Sequence, residues 1–249
     1  MYNKLVHRVL LKIQYDGREF YGWQKQEGRR TIQAEIEKAL EKLTGEPVEI
    51  FGSGRTDRGV HALDQTAHFD LKKNIPVKNL PEALNNLLPN DISIKSAKIV
   101  DDNFHARFDI KAKTYVYQVY NAKVKSAILA NQSAYVNYDL DMKKMQGAAQ
   151  ILVGKHDFKG FCCANTSVKD FVREIYDIEI KKKGKFLVFS VKGSGFLYNM
   201  VRIIVGTLID VGRGLISEKD VKKALELGNR CYAGKTMPPE GLFLAKTEY

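Results

Sequence analysis

The spacing of apolar residues near the start of the chain predicts a strand followed by an amphipathic helix. Apolar and polar side chains alternate from residue 9 to residue 15, as they do in a strand with one buried face. Asp16-Gly17 then offers turn chemistry. After Thr31, which is a favourable N-cap, apolar residues recur at helical spacing until Gly45. Strand, turn and helix therefore follow one another in this stretch.

The rest of the chain continues to mix strand and helix patterns. Strands are predicted at 48–51, 66–71, 92–100, 173–180, 186–191 and 242–246, with a long extended stretch at 104–120. Helices are predicted at 80–88, 140–152, 196–211 and 217–227. Lys183-Gly184 is a hairpin turn, and Ser217 with Asp220 resembles a capping box. The pattern predicts an α+β fold of two halves, 1–103 and 104–249, with mostly antiparallel strands and helices on one sheet face.

The charge balance favours a polyanionic partner. The 249 residues include 40 Lys and Arg against 29 Asp and Glu, which gives a formal net charge of +11. Such an excess attracts nucleic acid, because neutralised phosphates release condensed counterions. A generically basic protein without such a partner is the alternative.

Cysteine usage and the apolar segments predict a cytoplasmic protein. Three cysteines are an odd number and make no disulfide framework, which favours a reducing compartment. Met1–Lys4 leads straight into a strand pattern, with no apolar core of a signal peptide. The most apolar segment, 196–211, is shorter and more polar than the roughly 20 apolar residues that span a bilayer.

The glycine-rich stretch from Gly52 to His61 is the strongest candidate for a functional loop. Asp57 lies in it between Arg55 and Arg58. Glycine lets the backbone adopt turns that other residues avoid, and a carboxylate among positive charges suits a site for an anionic substrate. The alternative is that Asp57 only caps a helix or closes a turn, the commonest role of Asp beside Gly.

The apolar helix predicted at 196–211 carries a second candidate. Tyr198, Arg202 and Gly206 have the spacing that would place them one above another. An arginine on a largely buried helix needs an anionic partner, because an unpaired buried guanidinium is very costly. The candidate partners are Asp57, Asp210, Glu174 and an RNA phosphate.

Two tyrosines are interleaved with lysines on one predicted strand. Lys111, Lys113, Tyr115 and Tyr117 alternate and so share a strand face. Aromatic rings among lysines can stack a base while the lysines hold the backbone. The alternative is an ordinary sheet face, which we prefer for Tyr117 and leave open for Tyr115.

Several other site patterns are absent. Gly52-Ser53-Gly54 is not a dinucleotide fingerprint, since the last glycine of that fingerprint would fall at Asp57. Ser53, Asp57 and His61 lack the nucleophile elbow and oxyanion element of a hydrolase. Zinc-ligand spacing is also absent at His61, His68, His105 and His156. No cofactor and no metal are implied.

Taken in order along the chain, seven short motifs resemble those of the tRNA pseudouridine synthase A family. They are Tyr15-Asp16-Gly17; Tyr21-Gly22-Trp23-Gln24; Gly54-Arg55-Thr56-Asp57 with Gly59-Val60-His61-Ala62; Phe104-His105-Ala106-Arg107-Phe108; Lys113-Thr114-Tyr115 with Tyr117; Met200-Val201-Arg202 with Gly206; and Glu240-Gly241-Leu242. The resemblance runs from about Tyr15 to Leu244. It is carried by the ordered set, because a single motif of this length is not specific.

The resemblance implies a homodimer in which each protomer holds two ferredoxin-like α+β halves around a basic RNA cleft. It implies isomerisation of uridine to pseudouridine at positions 38, 39 and 40 of the tRNA anticodon stem-loop. Asp57 would be the catalytic aspartate, Arg202 would pair with it, and Tyr115 would stack on the target base. The remaining candidates for holding the flipped nucleotide and its RNA are Arg55, Arg58, His61 and Arg107.

Two positions depart from the family pattern. Arg58 stands where the family more often has a small residue, and Tyr198-Asn199 replaces a pair often occupied by histidines. The difference at Arg58 affects the expected RNA contacts beside the site. The difference at Tyr198-Asn199 affects the expected surroundings of Arg202. Neither removes the acid.

Two other functions compete with this enzyme. An RNA-binding chaperone on the same scaffold would not need Asp57, Tyr115 and Arg202 together. A nucleosidase or glycosidase using Asp57 would need a second, paired carboxylate, and none stands out in the sequence.

Overall fold

The computed structural model describes residues 6–163 and 168–249. Within them the strands are β1 (His7–Tyr15), β2 (Phe51–Gly52), β3 (His61–Leu71), β4 (Ile92–Ile99), β5 (Ala112–Asn121), β6 (Ala134–Val136), β7 (Gly154–Asp157), β8 (Val172–Lys183), β9 (Phe186–Gly193) and β10 (Leu242–Glu248). The α-helices are α1 (Ile32–Thr44), α2 (Leu80–Asn85), α3 (Met142–Leu152), α4 (Met200–Gly212) and α5 (Glu218–Glu226). The prediction of a mixed fold with mostly antiparallel strands is confirmed.

The chain forms two compact units. One comprises Met1–Lys111, as far as it is described, with Leu244–Tyr249, and the other comprises Ala112–Phe243. The boundary between the two compact units thus lies after Lys111, and the last six residues belong to the first unit. The division after residue 103 stays a prediction about functional halves.

In the first unit β1 lies between β3 and β4, and β2 and β10 each lie beside β3. The β1 pairings with β3 and β4 and the β2 pairing with β3 are antiparallel. Helix α1 begins and ends where the sequence predicts. The Thr31 hydroxyl accepts the Ala34 N–H, and Gly45 adopts the left-handed conformation that closes the helix. The apolar stripe of α1 and the alternating face of β1 are both buried in the core.

In the second unit the strands follow the order β5-β9-β8-β7, and each neighbouring pair is antiparallel. The short strand β6 runs parallel to β5. Gly184 turns the β8–β9 hairpin with φ 59°, as predicted. Ser217 and Asp220 form the predicted capping box at the start of α5. Helix α3 packs against both α4 and α5.

Several predicted boundaries are wrong. Strand β2 is only two residues long, α2 ends at Asn85, and β3 begins at His61 rather than at residue 66. The extended stretch predicted from residue 104 becomes a strand only at Ala112, because residues 104–109 form turns. The short strands β6 and β7 carry too few residues for an alternation to show.

The start of α4 is a further correction. The helix begins at Met200, so Tyr198 does not lie on it with Arg202 and Gly206, and its side chain is 53% exposed. Asn199 breaks the helical path because its φ is 60°. Within the described residues, none of the helices is long and apolar enough to cross a membrane.

Candidate active site

Asp57 lies on the loop that joins β2 to β3, and polar contacts hold this loop against both β1 and β3. Its side chain is half-buried. Beside it, the buried hydroxyl groups of Tyr15 and Thr56 share a hydrogen bond of 2.7 Å. The Gln65 amide on β3 donates to the carbonyl oxygen of Gly54 at 2.9 Å. Because both partners lie on strands, the loop presents Asp57 in a defined place.

Two glycines from the first motifs lie where a side chain would collide with this loop. A Cβ on Gly17 would lie 1.9 Å from the carbonyl oxygen of Val60, and one on Gly22 would lie 2.5 Å from that of Thr56. Gly22 also has φ +88°, which favours glycine. The Trp23 N–H donates to the same Thr56 oxygen at 3.1 Å. Motifs about 40 residues apart in the sequence therefore meet at the Asp57 loop.

Exposed arginines surround the same loop. The Arg55 Nε donates to Gln24 Oε1 at 3.1 Å. The guanidinium carbons of Arg58 and Arg29 lie 4.3 Å and 4.4 Å from the ring centroid of Tyr21, and Arg29 also donates to the Tyr21 hydroxyl at 3.1 Å. Cation–π contacts with the Tyr21 ring thus hold Arg29 and Arg58 near the Asp57 loop.

His61 is buried at the start of β3 and touches the turn after β1. Its Nδ1 lies 3.2 Å from the Gly17 nitrogen and 3.2 Å from Asp16 Oδ1. An unprotonated Nδ1 accepts the Gly17 N–H, whereas pairing with Asp16 requires a proton on it, so the two contacts exclude each other. Burial opposes the charge of Asp16, but hydrogen bonds from Arg18 and the charge of His61 lower its pKa overall. His61 supports the loop, and its role in binding substrate stays a prediction.

Arg107 lies on a separate turn of the first unit and is exposed. The His105 N–H donates to Asp109 Oδ2 at 2.8 Å and closes this turn. The Ala106 N–H donates to Nδ1 of His68 on β3 at 3.1 Å, which attaches the turn to the sheet. Burial, with the nearby His105, lowers the pKa of His68 from 6.5 to about 4. His68 is therefore a neutral acceptor near pH 7 and has a structural role.

The two tyrosines of β5 lie in the second unit and differ in their surroundings. Tyr117 is fully buried and donates to the carbonyl oxygen of Pro238 at 2.7 Å. Burial raises the pKa of this phenol far above its usual value. The interpretation of Tyr117 as a packing residue is confirmed. Tyr115 is 8% exposed and meets the ring of Phe196 edge-on, with the centroids 5.2 Å apart.

Arg202 is also in the second unit, on the first turn of α4, and two neutral oxygens orient it. Its Nε donates to the carbonyl oxygen of Met237 and its Nη1 to Asn199 Oδ1, both at 2.6 Å. The Met237 N–H returns a bond to the Arg202 carbonyl oxygen at 3.2 Å. A Cβ on Gly206 would lie 1.9 Å from the carbonyl oxygen of Lys235. The glycine therefore lets the segment that carries Met237 lie directly on α4.

Asp210, one of the predicted partners of Arg202, forms an ion pair with Arg213 at 3.5 Å. The other site residues divide between the units. Asp57, Arg55, Arg58 and His61 belong to one loop and the strand that follows it, whereas Tyr115 and Arg202 belong to the second unit. Within the described residues no three His, Cys, Asp or Glu side chains cluster to hold a metal ion.

Sequence reasoning gave no individual role to four residues that contact the candidate site residues or their neighbours, namely Tyr21, Gln24, Arg29 and Met237. It named Asn199 only as a departure from the family pattern beside Arg202. Tyr21 and Gln24 lie inside the motif Tyr21-Gly22-Trp23-Gln24, and membership of that motif was the signal in the sequence that could have identified them. The role of Arg29 depends on the path of its loop and that of Met237 on a backbone carbonyl, so no residue pattern reveals either.

Comparison with known proteins matches the sequence of this chain to a family. A family model described as tRNA pseudouridine synthase matches residues 12–109 and 148–249. The tRNA pseudouridine synthase A of Bacillus licheniformis is 48% identical over 244 residues, 97% of this chain and 99% of that protein. That of Caldicellulosiruptor bescii is 45% identical over 244 residues, 98% of this chain and 100% of that protein. The chain belongs to the tRNA pseudouridine synthase family.

Membership of this family makes the protein an isomerase. Among solved structures, one named as a Cbf5-Nop10-Gar1 complex aligns with 95% of this chain and 58% of that chain, at 13% identity and a TM-score of 0.39. A similarity at that level supports no conclusion. The assignment rests on the matched sequence.

Proposed function

We propose that this enzyme isomerises uridine to pseudouridine at positions 38, 39 and 40 of the tRNA anticodon stem-loop, with Asp57 as the catalytic carboxylate and without a cofactor. The observation that carries the proposal is the convergence on the Asp57 loop. Tyr15, Gly17, Gly22 and Trp23 all contact or approach that loop. Because these four residues contact or approach the same loop, their motifs occur together with Asp57 in the sequence.

The chemistry suits a single carboxylate. The reaction breaks the bond between C1′ and N1, joins C1′ to C5, and moves a proton from C5 to solvent while N1 gains one, with no change of oxidation state. In this proposal Asp57 either attacks C1′ or removes the C2′ proton to give a glycal-like intermediate. Both routes need an ionised carboxylate, and a guanidinium beside it favours that form. We assign this role to Arg202.

The base must leave its stack before Asp57 can reach the sugar. Flipping a base costs a few kcal/mol, and we propose that stacking on Tyr115 offsets part of it. Enclosure of the flipped nucleotide also keeps water from capturing the sugar, which would turn isomerisation into hydrolysis.

In this proposal, exposed arginine side chains bind the phosphates of the RNA backbone. Arg55, Arg58 and Arg107 are the proposed contacts, and Arg29 beside Tyr21 extends the positive surface near Asp57. A net charge of +11 supports the same assignment. Two ferredoxin-like halves around a basic cleft, a homodimer and a cytoplasmic location complete the proposal. The succession β1-α1-β2-β3-α2-β4 of the first unit supports its first part.

The test is a map of pseudouridine in an unmodified tRNA transcript after incubation with the enzyme alone. Transcripts with uridine at only one of positions 38, 39 and 40 show which of the three are used, and a transcript with cytidine at all three is the matched control. We expect pseudouridine at these positions and none in the control. Pseudouridine confined to sites outside the anticodon arm would refute the substrate assignment.

A further inference from the structure

Asn199 has a backbone conformation that needs an explanation. Its φ and ψ are 60° and 6°, and it is the one non-glycine residue with positive φ among those that the structure describes. Asparagine tolerates this left-handed region better than most residues, yet at a cost that glycine avoids. Such conformations persist where the surroundings hold them, often at functional sites.

Asn199 also forgoes the hydrogen bond that its position usually makes. It is the N-cap of α4, where an asparagine side chain ordinarily accepts an N–H from the first turn of the helix. Its side chain makes no such bond. A residue selected only to begin the helix would be expected to cap it.

The side chain instead joins Arg202 to Cys163. Its Oδ1 accepts from Arg202 Nη1 at 2.6 Å, and its Nδ2 donates to Cys163 Sγ at 3.0 Å. A guanidinium can only donate, so the oxygen of the amide must face Arg202 and the nitrogen must face the sulfur. The chemistry of the two partners thus sets the amide orientation.

Two uncharged acceptors orient the guanidinium. The Met237 carbonyl holds Nε and the Asn199 amide holds Nη1, and both acceptors are uncharged. Directional bonds at two nitrogens of a planar group define its plane as well as its position. Neither of these two contacts therefore offsets the positive charge of Arg202.

We propose that Asn199 is a positioning residue for the reaction, which sets the plane of the Arg202 guanidinium through an uncharged amide. The inference rests on the proposed function, in which that charge keeps the Asp57 carboxylate ionised. In this left-handed conformation the Asn199 amide bonds the Arg202 side chain instead of a backbone N–H of the first turn of α4.

The first test is Asn199→Gly in the full-length enzyme, assayed with unmodified tRNA transcript. Glycine adopts the left-handed conformation without strain, so we expect a melting temperature close to that of the wild type. We expect kcat to fall about 10- to 100-fold through loss of orientation, with KM for tRNA nearly unchanged. The acid limb of the kcat profile should move to higher pH, because a displaced guanidinium favours the ionised carboxylate less.

A second variant covers the case in which the glycine enzyme folds poorly. Asn199→Asp keeps the shape and the tolerance of positive φ, but it places a negative charge against Arg202. We expect lower kcat and a similar pH shift in this variant. Cys163→Ala is the matched control, because it removes the other bond of Asn199 and leaves the Arg202 contact; its kcat should stay near wild type.

Wild-type kcat and an unmoved acid limb in both Asn199 variants would overturn the inference and make the residue a turn former. A loss that appears only as raised KM would overturn it as well, because positioning acts on the chemical step. If the wild-type enzyme itself forms no pseudouridine in tRNA, the proposed function fails, and that result is distinct from either outcome.

Discussion

At the scale of single residues, the two tyrosines of β5 show how similar positions acquire different roles. Tyr117 is buried, bonded to Pro238, and closely approached by Gly241, where a Cβ would lie 2.6 Å from the phenol ring. Tyr115 keeps a small exposed fraction and an edge contact with Phe196. Of the two rings, that of Tyr115 is therefore the candidate for stacking on a base.

Substitutions at Tyr115 separate stacking from hydroxyl chemistry. Because the ring stays in place, Tyr115→Phe should lower kcat only about two- to fivefold, whereas Tyr115→Ala should lose about 100-fold or more. Single-turnover assays with saturating enzyme measure both. Equal losses in the two variants would mean that the hydroxyl group matters and that the stacking role is wrong.

The neutral His68 gives the stability of the protein a pH dependence. The unfolded histidine takes up a proton as the pH falls through 6.5, whereas the folded one does so only near 4. The contribution of His68 to the free energy of unfolding is therefore fully present above pH 6.5. It is lost as the pH falls toward 4, and the loss is about 3 kcal/mol at the most. The pKa values of Asp16 and Asp70 are lowered from 3.8, so these two carboxylates change the stability mainly below pH 3.8, outside the range in which His68 acts.

Urea unfolding at about pH 7 and about pH 4.5 measures this effect. His68→Asn retains an acceptor for the Ala106 N–H and cannot titrate, so its stability should fall less between the two pH values. An equal fall in the variant and the wild type would assign the pH dependence to other groups.

At the scale of elements, the Asp57 loop depends on backbone contacts that only glycine permits. Gly22→Ala would place a methyl group against the Thr56 carbonyl oxygen at a residue with φ +88°. We expect a loss of about 2–4 kcal/mol in the free energy of unfolding and a lower kcat. Gly28→Ala is the control, since Gly28 has φ +66° in open space and should lose only about 1 kcal/mol. Equal losses would show that the loop contact adds nothing.

Local signals predicted the elements whose ends are set by neighbouring residues. Helix α1 is defined by Thr31 and Gly45, and the β8–β9 hairpin turns at Gly184. The start of α4 could not be predicted, because Asn199 leaves the helical path to make contacts with Cys163 and Arg202. Sequence patterns record local preference, whereas such contacts depend on how distant segments pack.

The same distinction applies to the candidate site. Asp57 was identifiable because an acid among glycines and arginines is unusual, and family motifs added the residues around it. The stacking of Arg29 and Arg58 on Tyr21 could not be predicted, since nothing in the spacing of these three residues brings them together.

At the scale of the whole molecule, the positive charge should dominate the affinity for RNA. Each phosphate contact releases counterions, so the logarithm of the tRNA affinity should fall steeply with the logarithm of the salt concentration. Arg58→Ala should reduce that slope by about 1, whereas Lys182→Ala on the exposed β8–β9 hairpin is the control and should leave it unchanged. A flat salt response of the wild type would contradict a basic RNA-binding surface.

The account depends most on Asp57 acting in the chemical step. Asp57→Asn keeps the size of the side chain and removes the carboxylate, so pseudouridine formation is compared with wild type in single turnover on unmodified tRNA, with binding measured separately. We expect the variant to bind tRNA within about twofold of wild type and to form no measurable pseudouridine. Formation of pseudouridine at the wild-type rate by Asp57→Asn would contradict the account.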